Sequence, residues 1–334
     1  MEKEKITPKK IFSTITGNST FLAAVVLVLL IIVASIATPY FLSAQNLKAL
    51  MRDISFMAIV AAGQAVLLLI GDLDLSVGKL ASLSGILGGL LMTETSLPPI
   101  LSFVIGMLVG AALGCFNGVL ITKLNINSMV ATIGMQGVYS GVTMVITKGQ
   151  AISNLPEEVT VVGQANIGFV PLCFIIAIAV LIIIVIFMTK TKTGRYLYAM
   201  GNSSVAAKIM GIKTSRIRIL AFTVCGFLAS TAGMFYLSRL GSAQATIGSN
   251  WPMNSIAACV IGGIALTGGI GHPVGSLLGA AIVSVISNVI VLLGVNIYWQ
   301  DAVSGIVVVV AIALPSIISI VKEKARIKKI AAEA

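Results

Sequence analysis

Charge is what this sequence has least of. Only 10% of its 334 residues are Asp, Glu, Lys or Arg, while 57% are hydrophobic; an ordinary globular chain carries roughly 25% charged residues. A soluble fold could not cover its surface with so few, which excludes ordinary cytosolic enzymes and disordered regulators. Histidine occurs once, at His272, and the four cysteines, Cys115, Cys173, Cys225 and Cys259, lie inside apolar stretches without a short metal-ligand spacing. Their scarcity excludes a disulfide-stapled secreted domain and leaves no cluster from which to build a metal centre or a catalytic triad. Neither a catalytic residue nor a cofactor is expected. Acids are half as common as bases, 11 against 22, for a formal net charge of +11. Because the Lys and Arg sit between apolar runs and form no patch on a soluble surface, nucleic acid is not an expected partner.

What is present is apolar sequence in runs of membrane-crossing length. The first, Phe21 to Ala37, follows a polar, Lys-rich segment. Small residues at Ser35 and Ala37 resemble a signal-peptidase site, but the run exceeds a secretory core of about 7 to 15 residues, so it is read as an uncleaved first span. Further runs cover 54–70, 76–92, 98–120, 128–147, 170–189, 217–238, 254–270, 273–294 and 300–321. From Ile54 to Met92 a single helix would be about 58 Å long, against a hydrocarbon core of about 30 Å. That stretch passes twice or folds back. The fold class expected is all-α, a polytopic membrane protein of about ten transmembrane helices.

The Lys/Arg distribution orients it. With the N-terminus inside, the inner segments collect most of the cations, Lys79 lying nearby, and the outer ones keep Lys48, Arg52, Lys148 and Arg239. The positive-inside rule therefore places both termini in the cytoplasm. The chain divides into a cytoplasmic tail at 1–20, a membrane domain at 21–321 with a long inner loop at 190–217, and a basic cytoplasmic tail at 322–334. Many of the 33 glycines fall inside apolar runs, where small residues let helices approach closely. Val77-Gly78-Lys79-Leu80 has a weak echo in Val274-Gly275-Ser276-Leu277, each opening a span after a Gly-rich stretch.

Two segments carry functional information. Gly71-Asp72-Leu73-Asp74-Leu75-Ser76-Val77-Gly78 holds the only close pair of acids with apolar spans on both sides. An Asp at the centre of a spanning helix costs about 2.5 to 3.5 kcal/mol, so a break in the chain is expected here, permitted by Gly71 and Gly78. Asp74 or Ser76 is expected to cap the following helix. Asp72, Asp74, Ser76 and Gly78 are also candidates for the mouth or gate of a transport pathway. The second segment is the inner loop. Asn202 or Ser203 suits an N-cap, residues 204–210 favour a helix and Gly211 ends it. That helix would present Val205, Ile209 and Met210 along one side, which a mere connector does not need. Gly211-Ile212-Lys213-Thr214 lacks the spacing of a phosphate-binding loop, and no such loop occurs elsewhere, so ATP energy has to come from another subunit.

Four stretches in their order and spacing give the chain a specific resemblance. They are Leu73 to Gly78, Gly194 to Gly211, Cys225 to Gly233, and Ile256 to Gly263 continuing through Gly268-Gly269 to Ala280. From about residue 20 to 320 the chain resembles the membrane permease subunits of ribose-type sugar ABC importers. The resemblance implies that Asn202, Ser203, Ser204, Val205, Ala206, Ala207, Lys208 and Gly211 belong to the loop that docks into a cytoplasmic ABC ATPase. It also implies a second permease copy or a sister permease, an extracytoplasmic sugar-binding protein, import, and a place in the bacterial cytoplasmic (inner) membrane. Ser204 stands where many relatives have Glu, Pro252 and Asn254 stand where ribose-type members usually have acids, and His272 replaces a more basic position. The substrate expected is a monosaccharide or related polyol. The competing readings are a branched-chain amino-acid ABC permease, an ion-coupled secondary transporter, for which Asp72 and Asp74 are the only candidate coupling acids, and a structural or channel-forming protein, which leaves the capped inner helix unexplained.

Overall fold

A computed structural model of the chain describes residues 19–296 and scattered positions from 299 to 313. The described residues are helical except for one short hairpin and the connecting loops. Among the described residues, seven helices are long and apolar enough to cross a membrane. They are α1 (Ser19–Ala37), α2 (Ala44–Leu68), α4 (Pro99–Leu124), α5 (Ser128–Thr147), α7 (Leu172–Lys190), α10 (Thr214–Leu240) and α12 (Pro273–Leu292). Between them lie the more polar α3 (Val77–Glu94), the short helix α6 (Glu157–Gln164), the hairpin β1 (Asn166–Ile167) and β2 (Val170–Pro171), the helices α8 (Lys192–Asn202) and α9 (Ser204–Ile209) of the 190–217 segment, and the 11-residue α11 (Trp251–Ile261). The chain is a multi-pass membrane protein. The expected span at 300–321 falls almost wholly outside the described residues, as do the tails.

Several boundaries differ from hydropathy. The second span begins at Ala44 and not near residue 54, taking Lys48, Arg52 and Asp53 into its first turns, with the Ser43 hydroxyl accepting from the Asn46 amide. Polar partners at that end explain it: Arg52 donates to the Gln164 carbonyl at 2.8 Å, and Arg239 pairs with Asp53. The expected span at 254–270 is a helix only over Trp251–Ile261, because Gly263, Gly268, Gly269 and Gly271 take positive φ and turn the chain back. The inner loop contains two helices where one was expected. Lys79 donates to the Ala245 carbonyl at 3.1 Å and the Ser249 hydroxyl at 3.3 Å.

The core is built on α10, which packs along α4, α2 and α3. Its contact with α4 has matching periods. Gly106, Gly110, Gly114 and Gly118 recur every fourth residue on α4 and face Met234, Ser230, Gly226 and Phe222, also four apart, on α10. A row of i, i+4 small residues lets two helix backbones come close enough for dispersion to hold them, the association available where lipid removes any hydrophobic drive. By contrast α1 leaves most of its Val, Leu and Ile exposed, as suits a helix that faces lipid, and packs through Leu27, Leu30 and Ala34. The two sequence echoes meet opposite ends of α11: a Cβ on Gly78 would lie 1.9 Å from the Gly248 carbonyl, and one on Gly275 would lie 2.1 Å from that of Gly262.

Candidate functional site

The inner-loop segment forms largely as its residues dictate. The Thr191 hydroxyl accepts from the Gly194 amide at 3.0 Å and starts α8. The Ser203 hydroxyl accepts from the Ala206 amide at 3.2 Å and starts α9, and Gly211, at φ +80°, ends the segment in a left-handed turn. Asn202 is the last residue of α8 and Ser203 the cap of α9. Ala207 is fully buried, while Ser204, Val205, Ala206 and Lys208 are exposed. Val205, Ile209 and Met210 are 69, 82 and 68% exposed, a large apolar display for so short a helix. Beside them a cleft of about 560 Å³ is lined by Arg195, Lys213 and Arg216 with Tyr196 and Met210. From Lys190 to Arg218 the chain has seven Lys or Arg and no acid.

This segment is tied to the membrane core through backbone contacts. Gly201 approaches so closely that a Cβ would lie 1.9 Å from the Leu69 carbonyl and 2.3 Å from the Gly269 nitrogen. The Gly269 amide donates to the Leu69 carbonyl at 2.9 Å, and the Tyr198 hydroxyl to the Gly271 carbonyl at 2.9 Å. Burial raises the Tyr198 hydroxyl above the ordinary tyrosine range, so it remains a donor at neutral pH. The inner loop, the 69–71 turn and the 268–271 turn thus form one contact. No local pattern signals it, since Leu69, Gly201 and Gly269 lie far apart in the chain until the fold brings them together.

The break between α2 and α3 follows directly from that turn. Asp72 is buried and takes a bidentate pair from Arg218 of α10, both bonds at 2.6 Å. Asp74 is fully buried; its Oδ1 accepts from the Ser76 amide at 2.7 Å and the Ser76 hydroxyl at 2.6 Å, and its Oδ2 from the Asn117 amide group at 3.3 Å. Asn117 also donates to the Ser76 hydroxyl at 2.9 Å and accepts from the Tyr139 hydroxyl at 2.7 Å, and Thr132 accepts from the Leu75 amide at 3.1 Å. The expected cap takes a different form: Ser76 occupies the N-cap position of α3, but its side chain makes no cap bond, because Asp74 and Asn117 already engage its hydroxyl. Gly78 is needed for the close approach to Gly248. Asp74 and Ser76 therefore belong to one buried polar network with Asn117, Asp72 is held separately by Arg218, and Gly78 contributes close backbone packing, and together they fix the break.

At the opposite end of α2 is a cavity of about 540 Å³ where α2, α10, α11 and α12 converge. Asn46 of α2 and Asn288 of α12 exchange amide hydrogen bonds of 3.0 and 2.8 Å across it. Deeper in, Phe56, Tyr236 and Trp251 stack edge to face, with centroids 5.2 and 5.9 Å apart. Sequence reasoning passed over this site because its lining comes from four helices remote from one another in the chain; Asn46, Asp53 and Asn288 were the available signal.

The family described as "Branched-chain amino acid transport system / permease component" matches residues 46–312. The chain belongs to this family. Among curated proteins it is 36% identical to the ribose import permease protein of Bacillus subtilis over 86% of this chain and 90% of that protein. It is 32% identical to the ribose import permease protein of Haemophilus influenzae over 86% and 90%, and 33% identical to the autoinducer 2 import system permease protein of Escherichia coli over 88% and 85%. No solved structure matches it significantly.

Proposed function

We propose that the chain is the membrane-spanning subunit of an ATP-driven sugar importer, forming the pathway for a monosaccharide or related polyol handed over by an extracytoplasmic binding protein. It carries out no chemistry; a separate cytoplasmic ATPase hydrolyses ATP. Two permease subunits, identical or sister chains, flank the pathway in the cytoplasmic membrane, about ten spans in each, with all tails inside. The observation that carries this reading is α9. A capped helix that exposes Val205, Ile209 and Met210, yet is locked through Gly201 to the turns at 69–71 and 268–271, is suited to receive movement from a partner and pass it to the bundle. Asp72, Asp74, Ser76 and Gly78 are then the fixed hinge on which α3 moves, next to that contact. The permease relatives named for ribose and autoinducer 2 support a sugar over a branched-chain amino acid. An ion-coupled carrier is disfavoured by Asp72, which is paired, and by Asp74, which is enclosed.

Ala206 is exposed on α9, so Ala206→Glu leaves the fold intact and places an unpaired charge in the ATPase contact, which is costly there. The expected outcome is loss of ATPase co-purification and of uptake, with binding of the external protein retained. Normal uptake with the ATPase still attached would reduce α9 to a connector. Orientation is checked separately. Cysteines placed at the exposed Glu158 and Lys208 are expected to label from opposite sides, Lys208 only from the cytoplasm. Labelling of the Lys208 position from outside intact cells would reverse the topology.

A further inference from the structure

We infer that this subunit carries its own recognition site for an uncharged polyhydroxylated molecule of monosaccharide size, in the cavity where α2, α10, α11 and α12 converge. The inference rests on the reading of the chain as a sugar permease, and adds that the permease selects its substrate and is not a passive conduit. The cavity, at about 540 Å³, is within the size range of small-molecule sites. Its chemistry is mixed in the manner a sugar requires. Asn254, Ser284, Ser287 and Tyr236 line it and their side chains make no hydrogen bond among the described residues, so their donors and acceptors remain open to a ligand. An amide and hydroxyls present both donor and acceptor, matching groups that are themselves both. Phe56, Tyr236 and Trp251 supply aromatic surface for the C–H faces of such a molecule.

Charge sets the class of ligand. The only acid lining it among the described residues, Asp53, is paired with Arg239, whose guanidinium also lies over the Phe56 ring at 5.7 Å. Lys79 stands behind Ser249, held by that hydroxyl and the Ala245 carbonyl, and is not part of the lining. Among the described residues no unpaired charge lines the cavity to anchor a carboxylate or an ammonium group, so the site favours a neutral polyol over a zwitterionic amino acid.

The test uses the full permease–ATPase complex carrying Asn254→Cys. The native thiols are buried or half-buried, and the unsubstituted complex provides the background. The new thiol is expected to react with a small water-soluble thiosulfonate, and a panel of ribose, xylose, galactose and myo-inositol at millimolar concentration is expected to include a compound that slows the reaction at least about fivefold, whereas leucine leaves it unchanged. Absence of reaction, or equal rates with every compound, would overturn the site. ATPase-dependent uptake of the same panel by the unsubstituted complex separates the two claims. Sugar uptake without protection refutes the site alone, and leucine uptake with leucine protection refutes the sugar reading together with it.

Discussion

Valine at Gly201 is expected to lower uptake by roughly tenfold or more, the kinetic equivalent of about 1–3 kcal/mol of overpacking at a contact that cannot yield. The first added carbon would already lie 1.9 Å from the Leu69 carbonyl and 2.3 Å from the Gly269 nitrogen, both backbone atoms, so relief requires the inner loop to lift off the bundle. The ATPase should still bind, since Val205, Ile209 and Met210 stand on the far side of the contact, but its hydrolysis should no longer respond to the loaded binding protein. Gly85→Ala is the control. Its Cβ meets only Leu237 Cδ2, at 3.2 Å, the end of a side chain that can turn aside, and uptake should stay near the parental level. A Gly201→Val transporter that keeps its stimulated ATPase activity would show that movement reaches the bundle by another route.

Asp72→Ala is the second substitution with a large expected effect. It removes a bidentate partner from Arg218 at a site where the Asp72 side chain is 10% and the Arg218 side chain 24% exposed. Breaking a fully buried pair costs about 3–5 kcal/mol; partial access of Arg218 to water lowers that to about 2–3 kcal/mol here. Thermal unfolding in detergent should shift downward and uptake should fall with it. The exchanged pair, Asp72→Arg with Arg218→Asp, is expected to recover part of the stability, because the attraction is restored while the geometry is not. If Asp72→Ala unfolds at the parental temperature, the pair does not hold the turn between α2 and α3 against α10.

The residues that fixed the expectations were those whose effect is local. Seventeen to twenty apolar residues in succession bury their own backbone hydrogen bonds only as a helix, so the all-α membrane class was legible from composition and run length alone. The same holds for α9, because Ser203 caps within three residues and Gly211 terminates by its own φ. Hydropathy misplaced the start of α2 because it counts Lys48, Arg52 and Asp53 as breaks, whereas residues remote in sequence partner them, the Phe169 ring for Lys48, the Gln164 carbonyl for Arg52 and Arg239 for Asp53.

What the sequence determined by itself was the membrane class, the break between Gly71 and Gly78 and the capped inner helix, each set by neighbours along the chain. Tertiary structure alone decided that Gly201 locks the inner loop to Leu69 and Gly269, that Asp72 pairs with Arg218, 146 positions away, and that Asn254, Tyr236 and Ser287 face one cavity. The physical reason is the same in each case. A close backbone approach, an ion pair or a cavity wall belongs to two or more helices at once, and its register depends on how glycine rows such as Gly106 to Gly118 seat one helix against another.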